Sequence, residues 1–458
     1  MKIVIISALV IKSLLALTLN EYVHLSLEDS SDSRVLVENE MNLQLDYNLQ
    51  KNNYNSNYSP ISSINADKNS NSIRLGMQGE KRNIYGGAVY ASIDGARNDY
   101  KVVNEAQYGT SLNVGYRQSL FRKFGQAYNT VGLTRSKERL NLIDVLDREQ
   151  KAAIIIKATE YYYDAVLNSA KIKIQESAVK RVSGDYKGAE AKQKSGLVSK
   201  IDVYRAKISY LDQNRNLNDS VKRYKDSLDN LFYYLNKEVD TSTTIDKTDA
   251  IKMMKFNFED KSNEEILLGN LSWNEMLIDE KNLKRELFNA DRNFLPDLEL
   301  NVNYKRSSEN RDIADVLNLD SEDWAVGLNS NYNFNTSEQT IAKQKLTIQK
   351  TKLLRDKASL KRLIFKDINT LKNDYINILE NLEIYKLKKI QAQEALKVSK
   401  IRYERGLSSN LDILDAESAY SSSQIDYVNE ILRHNLALLK YAKAMNILNI
   451  EFINKVAN

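Results

Sequence analysis

The chain contains no cysteine. That excludes disulfides, thiolate metal sites and lipid attachment to an N-terminal cysteine. Its 458 residues include only 2 prolines and 15 glycines, too few breaks for a string of compact domains joined by ordinary loops. Between Leu328 and Arg405 there is neither. A helix of about 70 residues over that stretch would be roughly 105 Å long, a rod rather than part of a globular domain. The 2 histidines, His24 and His434, lie far apart in sequence and read as packed or surface residues. No G-x-S-x-G, H-E-x-x-H, P-loop or dinucleotide-type glycine pattern occurs. The chain is therefore not read as an enzyme, and neither a cofactor nor a metal is expected. The net charge of +5 is scattered through mixed Lys/Glu/Asp sequence and forms no basic block, so nucleic acid is not indicated. The run Tyr161–Asp164, "YYYD", points around a helix and reads as interhelical packing rather than a base-stacking platform. No apolar run reaches 18 residues, so no transmembrane helix is expected.

The N-terminus, "MKIVIISALVIKSLLALTLNEY", carries Lys2, a short apolar stretch and Ala16 before polar sequence. It reads as a signal peptide over residues 1–16, and hence as export without lipid attachment. Lys12 interrupts the apolar stretch, and a buried N-terminal helix is the alternative.

One short segment occurs twice. "KSGLVSKIDVYRAKISY" at 194–210 is answered by "ERGLSSNLDILDAESAY" at 404–420, with Gly196/Gly406, Leu197/Leu407, Ser199/Ser409, Asp202/Asp412, Ala206/Ala416 and Tyr210/Tyr420 in register. Each copy holds S-x-x-D, a capping-box start to a helix. Each glycine before it suits a left-handed helix end. Two stretches of alternating sequence accompany this duplication. Leu298, Leu300, Val302 and Tyr304 alternate with polar residues, and after a polar gap so do Trp324, Val326, Leu328, Tyr332 and Phe334. Tyr108, Leu112, Val114 and Tyr116 repeat that cadence in the first half. Such period-two patterns mark strands with one apolar and one polar face. Upstream, "SIRLGMQG" and "NIYGGAVYASI" also look like strands, with their pairing open.

Each half thus reads helix, strand hairpin, very long helix, G-L-x-S turn, return helix. The first repeat spans 17–239, with its hairpin region at about 72–121, a long helix from about 128 to 194 and its tip at 195–199. A linker covers 240–260. The second repeat spans 261–458, with its hairpin at about 297–335, a long helix over 337–405 and its tip at 405–409. The fold class expected is mainly α with a small β part. Strands apolar on one face suit an outer-membrane barrel. Four strands cannot close a barrel alone, and open edges are not viable in lipid.

These features resemble the outer-membrane efflux proteins, the TolC family. The resemblance is carried by "ALTLNEYVHLSLED", the twice-used hairpin, "RYERGLSSNLDILDAESAY" and the tail "ILRHNLALLKYAKAMNIL", and covers nearly the whole chain after the leader. It implies a homotrimer in the outer membrane lipid, with four membrane strands per subunit in a 12-stranded antiparallel β-barrel and a long α-helical coiled-coil barrel in the periplasm. It implies a passive exit duct for efflux or type I secretion, working with a periplasmic adaptor (membrane fusion) protein and an inner-membrane pump of RND or ABC type. Gly196, Leu197, Val198 and Ser199, with Gly406, Leu407, Ser408 and Ser409, would be the adaptor-docking tips. Asp202, Tyr403, Asp412 and Asp415 would line the periplasmic entrance. Asp415 aligns with Arg205, so this second carboxylate belongs to the second half alone. The chain departs from the family where Ser408 stands in place of a basic residue and Ile201 in place of its hydroxyl partner, while the Tyr403–Asp202 pair is kept. The distance from Pro60 to Tyr108 also exceeds that from Pro296 to Trp324, which suggests an enlarged loop or an extra strand. The competing reading is an exported trimeric coiled-coil stalk or adhesin, which needs neither the duplication nor the hairpins.

Overall fold

The computed structural model describes residues 16–101, 105–238, 245, 251–259 and 261–457. The expected signal segment lies outside them except for Ala16, and so does much of the 240–260 linker. In chain order the elements are α1 (Leu19–Asp29), α2 (Ser31–Asn52), β1 (Ser56–Ala66), β2 (Ser70–Arg82), β3 (Gly87–Tyr100), β4 (Glu105–Ser119), α3 (Gln126–Asn129), α4 (Val131–Leu140), α5 (Ile143–Lys194) and α6 (Lys200–Tyr234). They continue with α7 (Asn263–Leu268), α8 (Leu271–Arg292), β5 (Asp297–Asn310), β6 (Ser321–Asn331), α9 (Ser337–Glu404), α10 (Asn410–Ala444) and α11 (Ile450–Ala457). Among the described residues no helix is long and apolar enough to cross a membrane. The mainly α class with a small antiparallel β part is as the sequence implies.

The chain divides into two compact units. One comprises the N-terminal segment to Glu38, Asp144–Leu271 and the chain from Lys361; the other comprises Asn39–Ile143 and Ser272–Leu360. The first is helical. Its core joins Tyr22 and Val23 of α1, Ile155, Ala158, Tyr162 and Val166 of α5, Leu231 of α6, Leu438 and Leu439 of α10, and Ile453 of α11. The "YYYD" tyrosines pack between helices as the sequence suggests. Tyr162 and Tyr163 are buried in this core, and the Tyr161 ring lies 5.0 Å from that of Tyr234. The described part of the linker, 251–259, is tied to the same core. Asn435 accepts the Met254 N–H at 2.8 Å and donates to the Lys252 carbonyl at 2.9 Å.

The second unit holds a six-stranded antiparallel meander in the order β1-β2-β3-β4-β5-β6. This corrects the expectation of four strands: the lengthened first region forms two hairpins, with β1–β2 added ahead of β3–β4. Register places one apolar stripe across all six. Ile64 faces Ile73 and Pro60 faces Met77. Met77 faces Ile93, Ile93 faces Leu112 and Val114 faces Tyr304. Tyr304 in turn faces Trp324, and Val302 faces Val326. The other face is polar, with Ser59, Gln78, Asn113 and Asn303 on it; Gln78 donates to Ser59 at 3.0 Å and Arg117 pairs with Glu80 at 2.8 Å.

The first long helix also differs from expectation. The span 128–194 is divided among α3, α4 and α5, with breaks at Thr130 and at Asn141–Leu142. Thr130 leaves helical geometry at φ −101°, ψ 20°, a β-branched residue two positions before Gly132 in weak helix-forming sequence. Its counterpart α9 contains no glycine and runs unbroken for 68 residues.

Candidate functional site

The two G-L-x-S turns close with the same hydrogen bonds. At the first, Leu197 N–H donates to the Lys192 carbonyl and Gly196 N–H to the Gln193 carbonyl, each at 2.9 Å. At the second, Leu407 N–H donates to Arg402 at 2.8 Å and Gly406 N–H to Tyr403 at 3.0 Å. This paired pattern is a Schellman motif, and it needs a left-handed residue at the turn. Gly196 and Gly406 supply it with φ of 72° and 74°. A Cβ at either position would meet open space, so the requirement is conformational rather than steric. Ser199 and Ser409 then cap α6 and α10. The Asp202 carboxylate accepts from Ser199 N–H at 3.1 Å, and the Asp412 carboxylate from Ser409 N–H at 2.8 Å. Leu197 and Leu407 are 74 % and 65 % exposed; Val198 and Ser408 are half-buried.

The duplication extends further than the turns. Helices α6 and α10 each have 35 residues, and Lys200 and Asn410 start them at equivalent positions. Both end on a left-handed asparagine, Asn236 at φ 54° and Asn446 at φ 53°, again with the Schellman pair of bonds. Equivalent asparagines at these ends were legible in the sequence as a continuation of the repeat.

The turns touch each other through residues that sequence reasoning missed. Asn410, 1 % exposed, donates from Nδ2 to the Asp202 carbonyl at 3.4 Å. Lys192 donates to the Tyr403 carbonyl at 3.2 Å and its ammonium lies 4.0 Å from the Tyr403 ring centroid. The hydrogen bond expected between Tyr403 and Asp202 is not formed. Asp202 is engaged in its helix cap, and Tyr403 Oη is buried without a partner among the described residues. Burial, then the nearby Asp202 and Asp185 carboxylates, push the Tyr403 phenol above its ordinary range. Among the described residues Ser408 Oγ also lacks a partner, and Ile201 is 60 % exposed, so no latch joins these positions there. Asp412 and Asp415 are both exposed on the first turns of α10.

Above the turns a charge cluster ties three helices. Glu417 of α10, 2 % exposed, accepts from Arg181 Nε of α5 at 2.6 Å and pairs with Lys400 Nζ of α9 at 3.0 Å. Lys400 also lies 3.9 Å from Asp185. Burial lifts the Asp185 carboxyl above its ordinary range; Lys400 opposes this and Glu417 adds to it. Arg181 further donates to Ser421 Oγ at 3.3 Å and stands over the Tyr420 ring. Two cations are thus matched by two carboxylates in a largely dry place. Among the described residues no group of three or more His, Asp or Glu side chains is arranged to hold a metal ion.

Residues 284–440 match the family model described as outer membrane efflux protein. No curated protein matches the chain in sequence. Among solved structures the chain is similar to VceC, an outer membrane protein of Vibrio cholerae, at TM-score 0.71 and 12% identity over 93% of this chain and 96% of that one. It is similar to the open state of the MtrE outer membrane channel of Neisseria gonorrhoeae at TM-score 0.72 and 12% identity, over 93% and 88% of the two chains. It is also similar to the CmeC outer membrane channel of Campylobacter jejuni at TM-score 0.68 and 14% identity, over 96% and 89%. The resemblance drawn from the sequence is thus met by the family match over residues 284–440 and by a shared fold over nearly the whole chain.

Proposed function

We propose that this chain is the outer-membrane exit duct of a tripartite efflux or type I secretion system, a passive channel and not an enzyme. It would act as a homotrimer, with an adaptor protein and an energised inner-membrane pump as partners. The observation that carries the reading is the sheet. An apolar stripe crosses six strands, and Trp324, Val326 and Leu328 stand 72%, 60% and 61% exposed on it, while the opposite face is polar. Lipid outside and water inside would satisfy both faces. An isolated sheet in lipid would leave its edge N–H and C=O groups unpaired, so copies must join.

The helical unit supports assembly independently. On α6, Ile201, Tyr204, Ile208 and Leu211 form an uncovered stripe, each more than half exposed. On α9 the exposed pairs Ile376/Leu379, Leu387/Ile390 and Val398/Ile401 recur every eleven residues. An eleven-residue period of about 3.67 residues per turn keeps a seam on one side of a nearly straight helix. Side-by-side packing against helices of another copy would cover it.

In this reading Gly196–Ser199 and Gly406–Ser409 are the docking tips for the adaptor, and Asp202, Tyr403, Asp412 and Asp415 surround the periplasmic entrance. The stalk or adhesin alternative accounts for the seam but leaves the one-sided sheet without purpose. Outer-membrane fractions should yield heat-sensitive trimers that conduct ions in planar bilayers. Trimers that insert but never conduct would favour the stalk.

A further inference from the structure

We propose that β1 of one copy pairs with β6 of the next, so that all six strands enter the barrel wall and a trimer closes eighteen strands rather than twelve. The proposal rests on the trimeric-duct reading and concerns how its sheets join. In a four-strand scheme the closing edges would be β3 and β6. Here β2 pairs with β3 along its full 13 residues, from Ser70 opposite Tyr100 to Arg82 opposite Ala88. The edge that a twelve-stranded closure needs is therefore occupied. The free edges are β1 and β6, each 11 residues long.

Three features place the added hairpin in the wall rather than in water beside it. Its outward residues are apolar and uncovered: Tyr58 is 75% exposed, Ile64 79%, Leu75 62% and Met77 59%. They lie in register with Ile93 and, across the sheet, with the stripe on β6, so the band continues at one height over the hairpin. A hairpin standing in solvent would have no use for this band. On the polar side, Arg74 pairs with Asp94 at 3.3 Å, and Glu80 takes Arg117 from two strands away. The hairpin is thus tied to the other strands on its inner face. Directions also fit. Strands alternate through the meander, so β6 and the β1 of a neighbour meet antiparallel, like the other five pairings. Pro60 withholds one N–H from β1 and leaves its remaining ladder positions available.

Strand number sets barrel width almost linearly. At about 4.8 Å between strands and a tilt of ~40°, eighteen strands give a backbone diameter of roughly 36 Å, against roughly 24 Å for twelve. Such a barrel passes bulkier cargo through its membrane half than a twelve-stranded one.

The absence of cysteine makes the test clean. Ser59→Cys or Ile61→Cys would be combined with Ala325→Cys or Gly327→Cys, all on the polar face. A comparison set would join Ser92→Cys or Ala96→Cys of β3 to the same β6 positions. Outer membranes are treated with a short bis-maleimide and run on denaturing gels, while the detergent-solubilised mass is measured in parallel. Covalent trimers from the β1–β6 pairs and none from the β3–β6 pairs are expected. Trimers linked only through β3–β6, or a trimeric mass with no β1–β6 linkage, would overturn the eighteen-strand closure alone. A monomeric mass would overturn the trimeric duct itself.

Discussion

Glu417→Gln removes the negative charge that Arg181 and Lys400 share while keeping the size of the side chain. Breaking a buried ion pair from one side costs about 3–5 kcal/mol, because the remaining charge stays desolvated. The Arg181 and Lys400 side chains retain 24% and 31% exposure, so part of that cost is relieved by water. About 2–3 kcal/mol is the figure for local opening of α5, α9 and α10 around the cluster. At 1.4 kcal/mol per decade, amide exchange in this region should rise between roughly 30-fold and 140-fold. The assay is hydrogen exchange on the solubilised protein, following peptides over 181–202 and 400–417, with α1 as an internal control. Asp185→Asn should do much less, below about tenfold, because Asp185 stands at 3.9 Å from Lys400 and is opposed by Glu417. Exchange in Glu417→Gln within threefold of wild type would show that the cluster does not hold these helices together.

The glycine turns should separate two costs. Gly196→Ala puts a side chain into open space and meets only the positive φ, about 1 kcal/mol, so transport should persist. Gly406→Pro also loses the N–H that donates to Tyr403, and should abolish transport in cells while trimers remain in the outer membrane; normal export by the proline variant would sink the docking role. Asp412→Ala with Asp415→Ala should lose cation selectivity and block by hexamminecobalt in planar bilayers; if both properties survive, these carboxylates only start a helix. His434 is fully buried, and burial holds its pKa below the usual 6.5. The unfolded chain then binds the extra proton first, so stability should fall as pH drops below about 6.5, by at most ~1.4 kcal/mol per pH unit. Thermal melts of His434→Leu across that range should show a flatter profile, and an unchanged slope would place the effect on other groups.

How legible this molecule was depended on how local each signal is. Strands β3 to β6 carry clear alternation, and the turns carry a glycine and S-x-x-D within seven residues, so both could be read from short windows. β1 was not read as a strand, because "SNYSPISSINA" places Ser62 in its apolar row and carries Pro60, which demotes a strand reading. Its partner β2 makes it a strand by supplying a ladder and a matching stripe. The cluster of Arg181, Asp185, Lys400 and Glu417 has no local signature at all. Arg181 and Asp185 lie more than 200 positions from Lys400 and Glu417, and each alone looks like a solvated charge. The same holds for Lys192 and Asn410, which meet the opposite turn only once both turns are built.

The internal duplication fixes geometry, and divergence within it fixes chemistry. Turns, caps, the lengths of α6 and α10 and their terminal asparagines repeat after 210 residues, so in a trimer six tips would be nearly alike. The cluster breaks that equivalence. The counterparts of Arg181 and Asp185 are Gln391 and Ala395, while those of Lys400 and Glu417 are Glu190 and Lys207, with the charges reversed. Glu190 instead accepts from Tyr186 at 2.6 Å, within its own helix. Only one such cluster therefore forms per copy, beside tips that otherwise match. An adaptor touching all six tips would find their backbones in near sixfold arrangement but their supporting charges in threefold order. The cluster ties α5, which leads into the first tip, to α9 and α10 of the second tip, so in a trimer the junction between the two tips of one copy would carry it and the junction between copies would not. Opening, if it begins at the junctions that lack a cluster, would then proceed at three junctions and not six.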